Sequence, residues 1–149
     1  KRKVKVDDVT RAFLQFDSGA SGSIEANWLA TGRKMQHDFE IFGTKGALSF
    51  SQERLNELSF YSVDDPKDQR GFKTIFSGPE HEPYGSFCVA PGHQLGFIDL
   101  KAIEVKEFVE SIAGIRDEPF SFSEGSRVQG LVELIKKSSE VQTWKTVDF

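Results

Sequence analysis

Residues 38–50 have the sequence DFEIFGTKGALSF, in which two short apolar segments flank a turn bounded by glycines. Phe39 and Ile41 point to one side of the first segment and their neighbours point to the other, which is typical of a half-buried strand. Residues 43–46 (GTKG) are predicted to form a hairpin loop, because glycine tolerates the positive φ angles of tight turns. The stretch therefore predicts a β-hairpin and, with it, an antiparallel sheet.

The same type of pattern extends in both directions from this hairpin. We predict further strands at residues 9–16, 23–31, 58–62 and 72–77, with turn chemistry over residues 17–22. These strands follow one another at short spacing with no helical period between them. Such an order favours antiparallel pairing.

The second half of the chain changes to a helical period. The first predicted helix starts near Leu95 and ends at Gly114, with an apolar stripe of Ile98, Ala102, Val105, Phe108, Val109 and Ile112. A second helix is predicted after Ser123 or Ser126 as its cap, with a stripe of Val128, Leu131, Val132 and Ile135. Residues 144–149 are predicted to form a last strand. The predicted class is α+β, a largely antiparallel open sheet with helices packed on one face.

Composition limits the class of protein. The 149 residues, 38% apolar and with a net charge of −4, suit one compact domain with interspersed charges rather than a nucleic-acid-binding domain. No apolar run approaches the length of a membrane span, and the single cysteine, Cys88, excludes an intrachain disulfide. We therefore predict a cytoplasmic protein without membrane or nucleic-acid partners. Because residue 1 is Lys1 and the sole methionine is Met35, we expect a longer parent protein.

Several chemical motifs are absent from the sequence. It contains no G-x-G-x-x-G, no P-loop, no H-E-x-x-H and no G-x-S-x-G. His81, Cys88 and His93 lie near Glu80 and Glu82, but their spacing matches no common zinc pattern. We assign no metal ligand, and interpret Cys88 as a small buried apolar side chain.

The segment of residues 78–92 is unusual for a linker, since it combines three of the five prolines with several aromatic side chains. Long loops inside compact domains are usually functional or disordered, and aromatic content favours function. His93 follows directly, at the entry to the first helix. Two interpretations stay open: His93 caps the helix and packs locally, or His93 or Gln94 hydrogen-bonds a polar ligand beneath the loop.

Phenylalanine is abundant, with 14 residues, and those on predicted strands are expected to be mostly core. A sheet covered by helices on one face has a second face, however. Trp28, Leu29 or Phe42 pointing outward would form an apolar patch, which we expect a partner subunit or a neighbouring domain to cover.

Taken together, several segments resemble one family. They are Asp7-Asp8, FDSGASG (16–22), IEANW (24–28), FEIFGTKG (39–46), QERLNEL (52–58), APGHQLG (90–96) and residues 138–147 with Trp144. In order and spacing they are similar to the C-terminal domain of the Gfo/Idh/MocA family (glucose–fructose oxidoreductase, inositol dehydrogenase, rhizopine catabolism), within which the inositol dehydrogenase-like members are most similar. The resemblance covers nearly the whole chain.

The resemblance implies an oxidoreductase that transfers a hydride between NAD or NADP and a sugar or cyclitol hydroxyl carbon. The family's Rossmann domain, its lysine and its Asp/His pair would all precede Lys1, so no catalytic or cofactor-binding residue is assigned here. Residues 1–149 would form a single substrate and oligomerisation domain, pairing into a dimer or tetramer through the open sheet face. His93, with Tyr84 and His81, would lie on the substrate side.

Two alternatives remain. The chain could serve as a non-enzymatic sensor or interaction module that keeps the fold and the pairing sheet. It could instead be a free-standing, metal-assisted lyase or isomerase that uses His81, His93 and nearby carboxylates.

Overall fold

The computed structural model describes residues 6–118 and 120–149, and Lys1, where the predicted single domain starts, lies outside them. The strands are β1 (Val9–Gln15), β2 (Ser21–Asn27), β3 (Asp38–Phe42), β4 (Gly46–Ser51), β5 (Glu57–Ser62) and β6 (Lys73–Phe76), and the helices are α1 (Phe97–Ile112) and α2 (Phe122–Val141). All pairs are antiparallel, in the orders β1–β2 and β3–β4–β5–β6. The α+β class is confirmed, although the strands form two sheets rather than one.

The described chain divides into two compact units. One contains residues 6–32 and 120–149, and therefore the β1–β2 hairpin and α2. The other contains residues 33–118, and therefore the four-stranded sheet, the proline-rich loop and α1.

The β1–β2 hairpin closes where the Phe16 N–H donates to the Ala20 carbonyl at 2.9 Å. The second strand was predicted to continue to residue 31, which is wrong, since β2 ends at Asn27. The Asn27 side-chain oxygen accepts the Leu29 N–H at 3.0 Å and turns the chain. Local side-chain bonds of this kind compete with the ladder, and here they end the strand.

The four-stranded sheet contains the hairpin predicted at residues 38–50. The Gly43 N–H donates to the Gly46 carbonyl at 2.9 Å, which confirms the turn at residues 43–46. At Gly46 the backbone of Tyr61 on β5 lies so close that a side chain would overlap its carbonyl. Glycine is required there by close approach of the two strands.

The register of this sheet separates two chemically different faces. One face carries the rows Phe39–Phe50–Leu58–Ile75 and Ile41–Leu48–Phe60–Lys73, and the opposite face carries the polar row Glu40–Ser49–Ser59–Thr74 and the row Phe42–Ala47–Tyr61. We call the seven apolar side chains of the first face (Phe39, Ile41, Leu48, Phe50, Leu58, Phe60, Ile75) the apolar face. The prediction that Phe39 and Ile41 share a side is confirmed.

The phenylalanines on the strands are mostly not core. Among the described residues Phe13, Phe16, Phe39, Phe60 and Phe76 are exposed, so that expectation is wrong. Alternation along a strand determines the side on which a residue lies, but not whether anything packs against that side. Trp28 and Leu29 in one unit and Phe42 in the other are exposed, and their burial against a partner stays a prediction.

The buried core of residues 33–118 is small and lies beside the proline-rich loop. It consists of Cys88, Leu95 and Ile103, with Phe87 packed against it. Cys88 is therefore buried, as predicted. Two of the three core residues come from the loop and its exit, so folding of the loop and burial of α1 depend on each other.

Helix α1 ends as predicted but buries a different face. Gly114 adopts a φ of 69° after the last turn, and the Ile115 N–H donates to the Glu110 carbonyl at 2.9 Å. The predicted apolar stripe is exposed, and the buried residue is Ile103, which that stripe omits.

Three charged residues of α1 are half-buried, and each has a partner of opposite charge. Lys106 and Glu110 are half-buried, and their charged atoms lie 3.8 Å apart. Glu107 is likewise half-buried and accepts a hydrogen bond from Arg116. Paired charges with long apolar stems tolerate this position.

Helix α2 begins two residues earlier than a cap at Ser123 would allow, and five residues earlier than a cap at Ser126. Its cap is Ser121, whose hydroxyl oxygen accepts the Glu124 N–H at 3.3 Å, rather than Ser123 or Ser126. Of the predicted stripe, Leu131 and Ile135 are half-buried whereas Val128 and Val132 are exposed. The strand predicted at residues 144–149 is absent, and this segment has no regular structure.

Candidate functional site

The proline-rich loop leaves the sheet after β6 and returns at the start of α1, and one side chain bonds both ends. Asn56 precedes β5, and its Oδ1 accepts from the Leu95 N–H at 2.9 Å while its Nδ2 donates to the Leu95 carbonyl at 2.8 Å. The Ser77 hydroxyl also donates to Asn56 Oδ1, at 2.8 Å. The loop is thus closed at its base.

His81 lies in the first turn of this loop and is half-buried. The buried Gly78 N–H donates to His81 Nδ1 at 3.1 Å. Since an N–H only donates, Nδ1 carries no proton, and the neutral ring keeps its hydrogen on Nε2. His81 therefore braces the loop with one nitrogen and has a donor on the other.

Tyr84 begins a short 3₁₀ turn (Tyr84–Ser86) at the tip of the loop. Its carbonyl accepts from the Phe87 N–H at 2.8 Å and the Cys88 N–H at 3.0 Å. The side chain is 36% exposed, which leaves its surface accessible to a small polar molecule. Gly85 follows, and a side chain at this position would overlap the Pro79 carbonyl. The turn is therefore tightly folded.

His93 lies at the loop exit and is exposed. Its Nδ1 lies 3.2 Å from the Ala90 carbonyl, and its own carbonyl accepts from the Cys88 thiol at 3.0 Å. Because a carbonyl only accepts, Nδ1 carries the proton in the neutral ring and Nε2 is an acceptor. The helix is capped instead by Asp99, whose Oδ2 accepts the Gly96 N–H at 2.7 Å.

The structure therefore places His81, Tyr84 and His93 in one loop with complementary chemistry. His81 presents a donor, His93 an acceptor and Tyr84 a hydroxyl that serves as either. No hydrogen bond joins two of these three side chains in residues 6–118 and 120–149. Within that same part of the chain, no group of three His, Cys, Asp or Glu residues is close enough together to hold a metal ion.

A separate groove of about 410 Å³ lies within the other unit, between β1, α2 and the C-terminal segment. Phe13, Ile135 and Trp144 contribute its apolar walls. At its rim Arg11 Nε lies 2.8 Å from Glu25 Oε2. Hydrogen bonding from Arg11, and then from Asn27, holds the pKa of Glu25 below its usual value. No predicted site residue lines this groove.

Two residues that shape the loop were missed by sequence reasoning. The first is Asn56, in the segment of residues 52–58. An asparagine directly before a strand is a common source of side-chain bonds to backbone. The second is Lys106, whose Nζ lies 3.1 Å from the Ser86 hydroxyl and 5.9 Å from the Phe87 ring centroid. Lys106 lies three residues after Ile103 and therefore on the same side of the helix, which is the feature of the sequence that indicates its burial.

Comparison with known proteins agrees with this fold. The family model described as GFO/IDH/MocA C-terminal domain matches residues 1–49. Levoglucosan dehydrogenase from Pseudarthrobacter phenanthrenivorans is 36% identical over 148 residues, which are 99% of this chain and 38% of that protein.

Solved structures agree as well. A levoglucosan dehydrogenase in complex with NADH and levoglucosan is 36% identical with a TM-score of 0.93, covering 100% of this chain and 41% of that one. An NAD binding oxidoreductase from Klebsiella pneumoniae is 37% identical with a TM-score of 0.92, covering 99% of this chain and 40% of that one. This chain thus spans about two fifths of the length of the relatives it matches.

The antiparallel sheet, the helices and these matches define the class of protein, which is a C-terminal α+β domain of the kind found in oxidoreductases. Its first 49 residues match the C-terminal domain model of the Gfo/Idh/MocA family, and relatives 36–37% identical match along nearly its whole length. The family resemblance is confirmed, whereas the inositol dehydrogenase-like subgroup stays a prediction. In the described residues, no helix has the length and apolar character needed to span a membrane.

Proposed function

We propose that this chain is the substrate-side and subunit-pairing domain of an NAD- or NADP-dependent oxidoreductase acting on a sugar or cyclitol hydroxyl. The observation that carries the proposal is the match along the whole chain to a levoglucosan dehydrogenase in complex with NADH and levoglucosan. The parent protein would use a dinucleotide, and the chain itself would contribute sugar contacts.

The described residues do not form a dinucleotide site. A pyrophosphate is usually held at a glycine-rich turn between a strand and a helix. Here α1 and α2 follow irregular segments, at Gly96 and Ser121. We therefore assign the cofactor to a preceding domain, and no chemical step on it to the residues of this chain.

The loop chemistry suits a hydroxyl group. A sugar hydroxyl donates one hydrogen bond and accepts others, and His81 Nε2–H with His93 Nε2 offers a donor and an acceptor. Such a donor and acceptor pair orients the hydroxyl by hydrogen bonding alone. We propose that His93, Tyr84 and His81 bind the substrate and that proton transfer occurs elsewhere in the parent protein.

A substrate panel on the full-length protein tests this function. Reduction of NAD⁺ and NADP⁺ would be followed with levoglucosan, inositol and other polyols, for wild type and for the variants His93→Ala and Tyr84→Phe. We expect a raised KM for the sugar in both variants and an unchanged KM for the dinucleotide. His37→Ala is the matched control, because His37 is exposed and precedes the sheet. Kinetics of His93→Ala equal to wild type would return His93 to a purely local packing role.

The second part of the proposal is pairing of two or more copies through the apolar face. Four of its side chains, Phe39, Ile41, Phe60 and Ile75, are exposed in the chain, and large apolar patches usually mark an interface. Analytical ultracentrifugation of the full-length protein should show a dimer or tetramer that Phe60→Lys dissociates. Thr74→Lys, on the opposite face with Phe42, should have no effect, and dissociation by this variant would instead favour pairing through the face that carries Phe42. A monomer at tens of micromolar would contradict pairing.

A non-enzymatic sensor of the same fold stays the second candidate. It would be favoured if the full-length protein binds a sugar but reduces neither dinucleotide across the panel. Stoichiometric zinc, iron or manganese in the purified protein would instead favour the metal-assisted lyase.

A further inference from the structure

Asn56 bonds with both ends of the loop that carries the proposed sugar contacts. Its side chain pairs with both polar groups of the Leu95 backbone, at 2.9 and 2.8 Å, in the manner of a neighbouring strand. Its carbonyl accepts the Ser77 N–H at 2.9 Å, and its Oδ1 accepts the Ser77 hydroxyl at 2.8 Å. Asn56, the residue directly before β5, therefore makes four hydrogen bonds to Ser77 and Leu95, which flank the loop on its two sides.

The orientation of the Asn56 amide is determined by these partners. If oxygen and nitrogen were exchanged, the NH₂ group would face the Leu95 N–H, and the oxygen would face the Leu95 carbonyl. Both bonds would be lost, and two backbone groups would be left without this partner. Asn56 and the bonds to Leu95 are partly buried, where unmade bonds cost more than at the surface.

The bonds of Asn56 lie close in sequence to the two histidines of the proposed site. His81 is four residues after Ser77, and His93 is two residues before Leu95. Each histidine is bonded to its own end of the loop, through Gly78 and Ala90 respectively. The distance between the donor of His81 and the acceptor of His93 is therefore set by how closely the two loop ends are held together.

We propose that Asn56 is a positioning residue for sugar binding, which sets the separation of His81 and His93 by clamping the loop ends, without touching the sugar itself. The proposal rests on the proposed function of the loop. A displacement of about 1 Å at a binding site costs up to about 100-fold in rate. Loss of the clamp should therefore lower kcat/KM for the sugar about 10- to 100-fold.

The test uses the full-length protein with NAD⁺ and levoglucosan. Asn56→Ala removes the side-chain bonds, and Ser77→Ala removes only the hydroxyl bond and keeps the Leu95 pair. We expect a large rise in the sugar KM for Asn56→Ala, a smaller rise for Ser77→Ala, and a KM for NAD⁺ within about twofold of wild type. Asn27→Ala is the matched control, since Asn27 makes similar local bonds on the other unit.

Hydrogen exchange gives a second readout that does not depend on activity. The amides of Gly78, Gly85 and His93 should exchange faster in Asn56→Ala than in wild type, whereas those of the β1–β2 hairpin should be unchanged. Faster exchange with unchanged sugar kinetics would overturn the positioning role, and so would unchanged exchange. If wild type reduces no dinucleotide with any polyol, the proposed function fails. In that case hydrogen exchange alone tests whether Asn56 holds the loop ends together. If Asn56→Ala does not fold, Ser77→Ala carries both measurements.

Discussion

Substituting Ile103 tests which face of α1 is packed. Ile103 is 6% exposed and contacts the core of Cys88 and Leu95. Ile103→Ala removes three carbon atoms, which at about 0.8 kcal/mol per buried CH₂ is about 2.4 kcal/mol. The remaining cavity raises the loss to about 3–4 kcal/mol. The better helix propensity of alanine returns about 0.4 kcal/mol. We expect the free energy of unfolding to fall by about 3 kcal/mol.

The matched control is Val105→Ala on the same helix. Val105 is 61% exposed and belongs to the stripe that periodicity predicts as buried. Removing two carbons at this exposure costs about 0.6 kcal/mol. Replacing a β-branched residue by alanine in a helix returns about 0.5 kcal/mol. The net change should lie within about 0.5 kcal/mol of zero.

The assay is urea unfolding of the 149-residue chain, followed by circular dichroism. With a slope of about 1–3 kcal/mol per molar urea, the midpoint of Ile103→Ala should fall by about 1 M or more. The midpoint of Val105→Ala should not move measurably. Equal losses for the two variants, or a loss below about 1 kcal/mol for Ile103→Ala, would refute the assignment of the packed face.

Three other predictions concern local features. Ser121→Ala should lower stability by about 1 kcal/mol through loss of the helix cap, seen as a lower Tm in calorimetry, whereas Ser123→Ala should not; equal shifts would contradict the cap assignment. Gly46→Ala should cost about 1–3 kcal/mol, because the new methyl overlaps a carbonyl of the neighbouring strand; an unchanged urea midpoint would contradict this. The pKa of Glu25, lowered by Arg11, should return towards 4.5 in Arg11→Ala when followed by NMR. The stabilisation from this pair is present above the unfolded pKa and lost as pH falls through the folded one, so stability of the variant should depend less on pH in that window.

The strands were predictable because alternation and glycine turns are local signals. The hairpin at residues 43–46 and the shared side of Phe39 and Ile41 needed only neighbouring residues. Where a strand ends was harder to predict, since Asn27 turns the chain through one side-chain bond that no periodicity records.

Burial was less predictable than secondary structure, because it depends on what packs against an element. The stripe of α1 was found at the right spacing, but Ile103 faces the core, because the loop brings Cys88 and Leu95 to that side. The same holds for the candidate site. The sequence singles out His81, Tyr84 and His93, and their role in binding stays a prediction. The bond from Asn56 to Leu95, 39 residues away, could not be predicted from it.

The closed base of the loop also bears on how such domains diversify. Because both ends of this loop are bonded to Asn56, we expect that its middle part can be exchanged as a unit. We expect residues 79–86 to tolerate replacement without a shift in strand register, provided Phe87 and Cys88 keep their places at the core. If the loop binds the substrate as proposed, grafting the corresponding segment from a related domain should transfer substrate preference while leaving the sheet intact.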